Sequence, residues 1–178
     1  IVKGMYLLKA GDAAGGKSKK PAPRAALLGS GTILREAIAA AALLEKDFGV
    51  VCDIYSCPSF VELRRDGVDA ERWNRLNPEA RTPRKAWVAQ CLEARGTTVA
   101  VAATDYVRAF SEQIRAYLPK GTHYTALGTD GFGRSDSRAN LRRFFEVDRH
   151  QIAHATVAAL AEEGQLMKAH VSKAMQLY

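Results

Sequence analysis

The chain has 178 residues, of which 47% are hydrophobic, 25% charged and 8% aromatic. That is the composition of a globular domain, not of a disordered, collagenous or disulfide-stapled chain. A chain of this length buries roughly 70% of its unfolded surface, enough for one α/β domain with its own core. No apolar run approaches the roughly 20 residues that cross a bilayer, and no secretory apolar segment stands at the start.

The net charge is +7, but it is unevenly placed. Residues 1–24 hold six cations (Lys3, Lys9, Lys17, Lys19, Lys20, Arg24) against Asp12 alone, whereas residues 25–178 hold twenty cations and eighteen acids. A nucleic-acid-binding face needs a basic stripe on the folded body, and no such stripe is present. Neither nucleic acid nor membrane is expected as a partner. Cys52, Cys57 and Cys91 are an odd set without metal-ligand spacing, which fits packed thiols in a reducing, cytoplasmic protein. The chain opens at Ile1 directly in a strand-like pattern, as a piece of a longer chain would.

In chain order, residues 1–8 (IVKGMYLL) read as a strand. Residues 10–23 carry three lysines, two prolines and no apolar side chain larger than alanine, and read as a mobile loop. RAALLGSG is a short buried strand ending in glycines. The next stretch is helical, with Ser30 or Thr32 as its cap and Ile33, Ala37, Ile38, Ala41, Leu44 and Phe48 on one stripe. Gly49 stops it, and VVCDIYS is a second buried strand. After a turn at Pro58 a helix covers SFVELRRDG. ERWNRLNPEARTPRK reads as an ordered surface excursion, which Trp73 and Trp87 pin to the body. AWVAQCLEAR is a short helix and TTVAVAAT a third strand. TDYVRAFSEQIRAYLP reads as one helix, since Val107, Phe110, Ile114 and Leu118 recur at helical spacing before Pro119. HYTAL is a fourth strand, GTDGFGRSDS a glycine turn, and residues 138–178 are helical. Strands alternating with helices predict an α/β fold: a mainly parallel five-stranded sheet with helices on both faces and the N-terminal strand antiparallel at an edge.

Three patterns invite chemistry. Gly29-Ser30-Gly31-Thr32-Ile33-Leu34 opens a helix after a strand, with Asp53 on the next strand. This is part of the dinucleotide fingerprint, but Leu34 stands where the third glycine belongs, so a turn with a cap is the expectation. Gly128-Thr129-Asp130-Gly131-Phe132-Gly133-Arg134-Ser135 has phosphate-loop spacing with arginine in place of lysine. Asp130 would set an anion in that cradle and Arg134 is a fork rather than a point charge, so nucleotide hydrolysis is not expected. His150 and His154 stand at i,i+4, but the glutamate of a zinc-protease helix is missing and surface positions are expected.

The segment Gly128, Asp130, Gly131, Gly133, Arg134, Asp136, Arg138 is nonetheless specified. It lies at the carboxyl end of a strand, where open α/β sheets place ligands and contacts. Asp130–Arg134 and Asp136–Arg138 pairs, with Asp136 or Ser137 capping the next helix, would fix it as a rigid interface loop. Direct contact with a ligand is the alternative. No catalytic Ser/His/Asp or Cys/His set is readable.

The strings LLGSGTILREA, KDFGVVCDIYSCPSFVELRRDG, ERWNRLNP, TDYVRAFSEQIRAYLP and LGTDGFGRSDSRANLRRFFEVD resemble the C-terminal domain of the bacterial-type, homodimeric pyruvate dehydrogenase first component. The resemblance runs from Ile1 almost to Tyr178. It implies a transketolase C-terminal-domain-like fold and a parent enzyme that uses thiamine diphosphate and Mg²⁺. That parent decarboxylates pyruvate and reductively acetylates the lipoyl group of an acetyltransferase component. The family places cofactor, metal and catalytic residues in preceding domains, so no catalytic, cofactor or metal residue carries over to this chain. Implied partners are those upstream domains, a second subunit and the acetyltransferase component. Two roles follow for the piece itself. It is a structural part burying an interface, or it docks the acetyltransferase component through residues 10–23 or 62–85. An undetected small-ligand or nucleotide site is the remaining alternative.

Overall fold

The computed structural model describes residues 2–12 and 21–178. Five strands form one sheet: β1 (Tyr6–Lys9), β2 (Arg24–Gly29), β3 (Val51–Ser56), β4 (Val99–Ala103) and β5 (His123–Leu127). Their order is β1-β3-β2-β4-β5. All neighbours run parallel except β1, which lies antiparallel on β3 at the sheet edge, with Tyr6 opposite Ser56. The helices are α1 (Leu34–Phe48), α2 (Phe60–Leu76), α3 (Trp87–Glu93), α4 (Ala109–Glu112), α5 (Arg138–Phe144), α6 (Arg149–Glu162) and α7 (Lys168–Leu177).

The central strands read as unbroken apolar runs because both faces are covered. Ala25, Leu27, Cys52, Val99 and Val101 point to one side, into a core shared with Ile33, Leu44, Ile152, Val157, Leu160 and Ala174 of the α1, α6 and α7 layer. Ala26, Leu28, Tyr55, Ala100 and Ala102 point to the other, against Phe60, Leu63, Val88, Leu92 and Ile114. Helices thus cover both faces, as the alternation predicts. All three cysteines are free, and burial pushes the Cys52 thiol up to about 12.

Five local expectations change. The first strand starts at Tyr6 instead of residue 1, and the helix after Pro58 runs through Leu76 into the supposed excursion, with the Ser59 hydroxyl accepting from the Glu62 N–H at 3.1 Å. The cap of the helix after β2 is not made: Ser30 has no side-chain cap bond, and the chain enters α1 through a 3-10 turn over Gly31–Ile33. The close helix–strand approach that the missing third glycine argued against is present, supplied by Gly29. A Cβ there would lie 2.6 Å from the Leu34 Cα.

The fifth change is the largest. Residues 104–119 form α4, four residues long, and a 3-10 turn at Arg115–Tyr117. The Tyr124 hydroxyl donates to the Ser111 carbonyl at 2.7 Å, occupying an acceptor that a continuing helix would use. Ile114 is buried, while Val107 and Phe110 of the same periodic set are exposed.

Of the two tryptophans expected to pin the excursion to the body, Trp87 pins a different segment and Trp73 packs within the excursion itself. Trp87 Nε1 donates to the Met5 carbonyl at 3.0 Å, tying down the amino-terminal segment. Trp73 carries the Arg84 guanidinium 4.4 Å above its ring. The expectation of a mobile loop over 10–23 falls mostly on residues 13–20, outside the described residues. Its first part is docked, since the Gly11 N–H donates to Asp53 Oδ1 at 2.8 Å.

Candidate functional site: the cleft at the carboxyl ends of the strands

The carboxyl ends of β2, β4 and β5 open onto a cleft of about 560 Å³. Thr32 and Asp105 enter it from the exits of β2 and β4, Thr129 from that of β5, and Arg134, Arg138 and Arg142 from the following loop and α5. The neighbouring exits are stitched together. The Thr129 N–H donates to the Tyr106 carbonyl at 2.9 Å and its hydroxyl to the Asp105 carbonyl at 2.7 Å. The Thr32 hydroxyl, free of any capping duty, donates to Asp105 Oδ2 at 3.2 Å. Gly128 permits the contact: a Cβ there would sit 2.7 Å from the Arg108 Cα and backbone nitrogen.

The structure distributes the predicted loop charges differently from the sequence pairing. Asp130 does not meet Arg134. It accepts the Arg108 N–H at 2.9 Å and the Arg108 guanidinium as a fork at 3.0 and 3.1 Å. That N–H and guanidinium hold the Asp130 carboxyl below its usual range. Asp136 does not meet Arg138. It accepts from Asn140 Nδ2 at 2.8 Å and from the Ser137 N–H at 2.6 Å, and these bonds lower its carboxyl likewise. Ser137 caps α5 by accepting the Asn140 N–H at 3.3 Å. Two of the four charged residues are therefore fixed by hydrogen bonds, to a neighbouring loop and to a cap. Arg134 sits over Phe144, its guanidinium carbon 4.2 Å from the ring centre. Neither Arg134 nor Arg138 has a carboxylate partner among the described residues.

Residues the sequence did not single out complete the site. Glu36, only 4% exposed in α1, accepts from Arg142 at 2.9 Å and from the Arg149 guanidinium at 2.9 and 3.1 Å. The Arg149 bonds dominate and hold its carboxyl below the usual range. This acid ties α1 to α5 and α6 and anchors Arg142, which lines the cleft. Its only sequence signal is a carboxylate beside the apolar stripe. Arg108 and Asp105 carry no signal in spacing at all. Phe132 and Phe144 flank Arg134 in a neighbouring hollow, and Tyr106 packs on Phe110 at the exit of β4. These four are the exposed aromatic side chains among the described residues, with Phe132 at 96% exposure.

Other candidates resolve into structure. Asp53 is fully buried and accepts from Arg24 at 2.8 Å, Arg95 at 2.9 Å and the Gly11 N–H. Burial pushes its carboxyl up, and the bonds from Arg95, Gly11 and Arg24 more than reverse this. A carboxylate so occupied cannot serve a ribose. His150 stacks on Tyr178 with ring centres 5.5 Å apart, and no group of three or more metal-ligating side chains is gathered among the described residues. The carboxylates near the cleft are committed to arginines or a cap, except Asp105. These residues do not fit a metal-bound diphosphate cofactor, and no chemical step is assigned to them. No helix among the described residues is long and apolar enough to cross a membrane.

Residues 4–148 match the family described as the transketolase-like TK C-terminal domain, and the chain belongs to that family. Among solved structures, a transketolase from Campylobacter jejuni superposes on 88% of this chain and 19% of its own, with TM-score 0.52 and 22% identity. A split-gene transketolase covers 90% of this chain and 43% of its own, with TM-score 0.54 and 15% identity. Both show the fold alone. Sequence relatives are much nearer. The chain is 53% identical to a protein named pyruvate dehydrogenase E1 component from Cupriavidus necator and 50% identical to its namesake from Pseudomonas aeruginosa, over 100% of its own length in each case. A third, from Escherichia coli, is 47% identical over 98% of the chain. The chain spans about a fifth of these relatives, 19% of the first two.

Proposed function

We propose that the chain is the C-terminal domain of a pyruvate dehydrogenase first component, and that it contributes an interface instead of chemistry. The supporting observation is identity of 53% and 50% spread over the whole chain, which corresponds to 19% of each relative. The whole enzyme decarboxylates pyruvate with thiamine diphosphate and Mg²⁺ and reductively acetylates the lipoyl group of an acetyltransferase component. It works as a cytoplasmic homodimer, and its cofactor is held by the preceding domains.

Within that enzyme, segment 128–138 and the exit of β4 face the preceding domains or the second subunit. Exposed Tyr106 and Phe110 after β4, and exposed Phe132 and Phe144 beside the uncommitted Arg134, support this, because aromatic residues and arginine are enriched at interface cores. The exposed Phe132 is the natural anchor.

A domain exchange tests the proposal. These 178 residues would replace the matching region of the Pseudomonas aeruginosa relative, and pyruvate decarboxylation by the chimera would be measured. The proposal expects an active dimer whose activity falls when Phe132 is changed to serine. A well-folded chimera with no activity would contradict it, as would one indifferent to Phe132.

A further inference from the structure

We propose that the cleft between the exits of β2, β4 and β5 is an oxyanion site that takes a phosphate or carboxylate group on Arg134 and Arg138. The site itself is argued from this chain alone, and only the internal source of its ligand rests on the proposed function above.

Three observations carry it. The cleft presents three guanidiniums, from Arg134, Arg138 and Arg142, against the single carboxylate of Asp105. Arg142 gives Nη1 to Glu36, whereas Arg134 and Arg138 meet no acid among the described residues. Arg24, Arg95, Arg108, Arg115 and Arg149 are paired with carboxylates; Arg134 and Arg138 instead line a cavity with no acid partner among the described residues. The second observation is order. Arg134 is laid on the Phe144 ring at 4.2 Å, so its planar fork is held before any ligand arrives. The third concerns Asp130. In a phosphate cradle its charge would repel an anion, but it is turned away and neutralised by the Arg108 fork. Gly131 and Gly133 line the cleft instead, and the N–H groups of residues 131–135 find no acceptor among the described residues. A volume of about 560 Å³ lies within the range of small-molecule sites.

Asp105 narrows the ligand class. Its Oδ2 accepts the Thr32 hydroxyl and no cation pairs with it, so a bare dianion is opposed there. An oxyanion that also carries a donor, such as hydrogen phosphate, a phosphate monoester with a neighbouring hydroxyl or a hydroxy acid, satisfies both ends of the cleft. Such an oxyanion has two sources: a free small molecule, or an acidic side chain from the remainder of a longer parent chain.

The test is a titration of this 178-residue chain with inorganic phosphate at pH 7 and constant ionic strength, followed by backbone amide resonances. Saturable shifts confined to residues 129–138 and the Thr32 region are expected. Arg134→Ala and Arg138→Ala should each weaken binding about tenfold, the size of one charge-assisted bond. Arg134→Lys should weaken it too, since it keeps the charge and loses the fork. Asp105→Asn should strengthen binding by removing the repulsion while still accepting from Thr32, an effect that a purely structural Asp105 would not give. Both arginines are exposed, and the unshifted remainder of each variant's spectrum reports that it is folded. Absence of saturation, or binding unchanged in the double arginine variant, would overturn the proposal. The same titration on the longer parent then separates the sources. Binding that persists identifies a free anion, and binding that disappears, with Arg138→Ala loosening the parent's assembly, identifies an internal carboxylate.

Discussion

The two ends of the sheet carry similar charges in opposite states. Toward the amino end, Asp53 is fully buried with two guanidiniums and the Gly11 N–H, and every polar group is occupied. At the carboxyl end, three guanidiniums and Asp105 line an open cleft, and two of the arginines meet no acid among the described residues. A buried charge persists only when it is paired and hydrogen-bonded, so the closed cluster serves the fold. In the open cluster Arg134 and Arg138 have no acid within the described residues, and these two are available to something outside the domain. Glu36 stands between the two cases, a closed anchor on which one wall of the open cleft is mounted.

The contrast can be broken most sharply at the closed end. Asp53→Ala leaves Arg24 and Arg95 without their shared acid and should cost about 3 kcal/mol, the low end for a broken buried pair because both arginines reach solvent. Urea unfolding at pH 7 checks this, and a loss below about 1 kcal/mol would remove Asp53 from the fold's supports. The pH dependence follows with a definite sign. Asp53 and Glu36 have carboxyls lowered in the folded state. Their contribution is complete above the unfolded carboxylate values, 3.8 and 4.5, and is lost as pH falls through the lower folded values. Unfolding midpoints measured from pH 6 to pH 2.5 should therefore stay level and then drop below about pH 4. In Asp53→Ala that drop should be shallower.

Glu36→Gln should cost less, about 2 kcal/mol, since the amide still accepts hydrogen bonds from Arg142 and Arg149. Its effect should also reach the open end. Amide shifts should appear in α5 and the cleft, and phosphate binding should weaken. At the open end itself the expectation reverses. Arg134→Ala should leave the unfolding midpoint of this chain unchanged, yet weaken dimerisation or activity of the parent enzyme by about tenfold or more if its partner is buried there. Equal destabilisation of both would show that Arg134 serves only the domain's own fold. The smallest effect is expected from shortening residues 13–20 while keeping Gly11. Closure entropy depends weakly on loop length, so the melting temperature should move by less than roughly 4 °C.

The same contrast explains what could be read from the residues. VCDIYS, RAALLG and VAVAA announce parallel strands because both faces are buried, and that pattern is local. Ser59 and Asp148 cap their helices within three residues, again a local matter. The misread helix after β4 failed because its periodic residues are not all core. Phe110 and Val107 point outward, and the Ser111 carbonyl is taken by Tyr124 from another strand. The site divides in the same way. The glycines and charges of 128–138 marked the loop, and the capping role of Ser137 was within reach. The pairing of Asp130 with Arg108 was not, because it depends on β4 and β5 being neighbours in the sheet. The structural role of Asp53 was out of reach because it depends on Arg95, 42 residues later in the chain.

Hydrogen exchange at amides 129–137, compared between this chain and the longer parent enzyme, tests the central claim most directly. Here most of those amides have no acceptor among the described residues and should exchange at nearly the unprotected rate, while Cys52 to Tyr55 in β3 stay protected. In the parent, contact with the preceding domains or the second subunit should slow 129–137 by about a hundredfold or more, the protection expected of a buried interface. Exchange equally fast in both proteins would contradict the claim that the open end of the sheet is where this domain meets the rest of its enzyme.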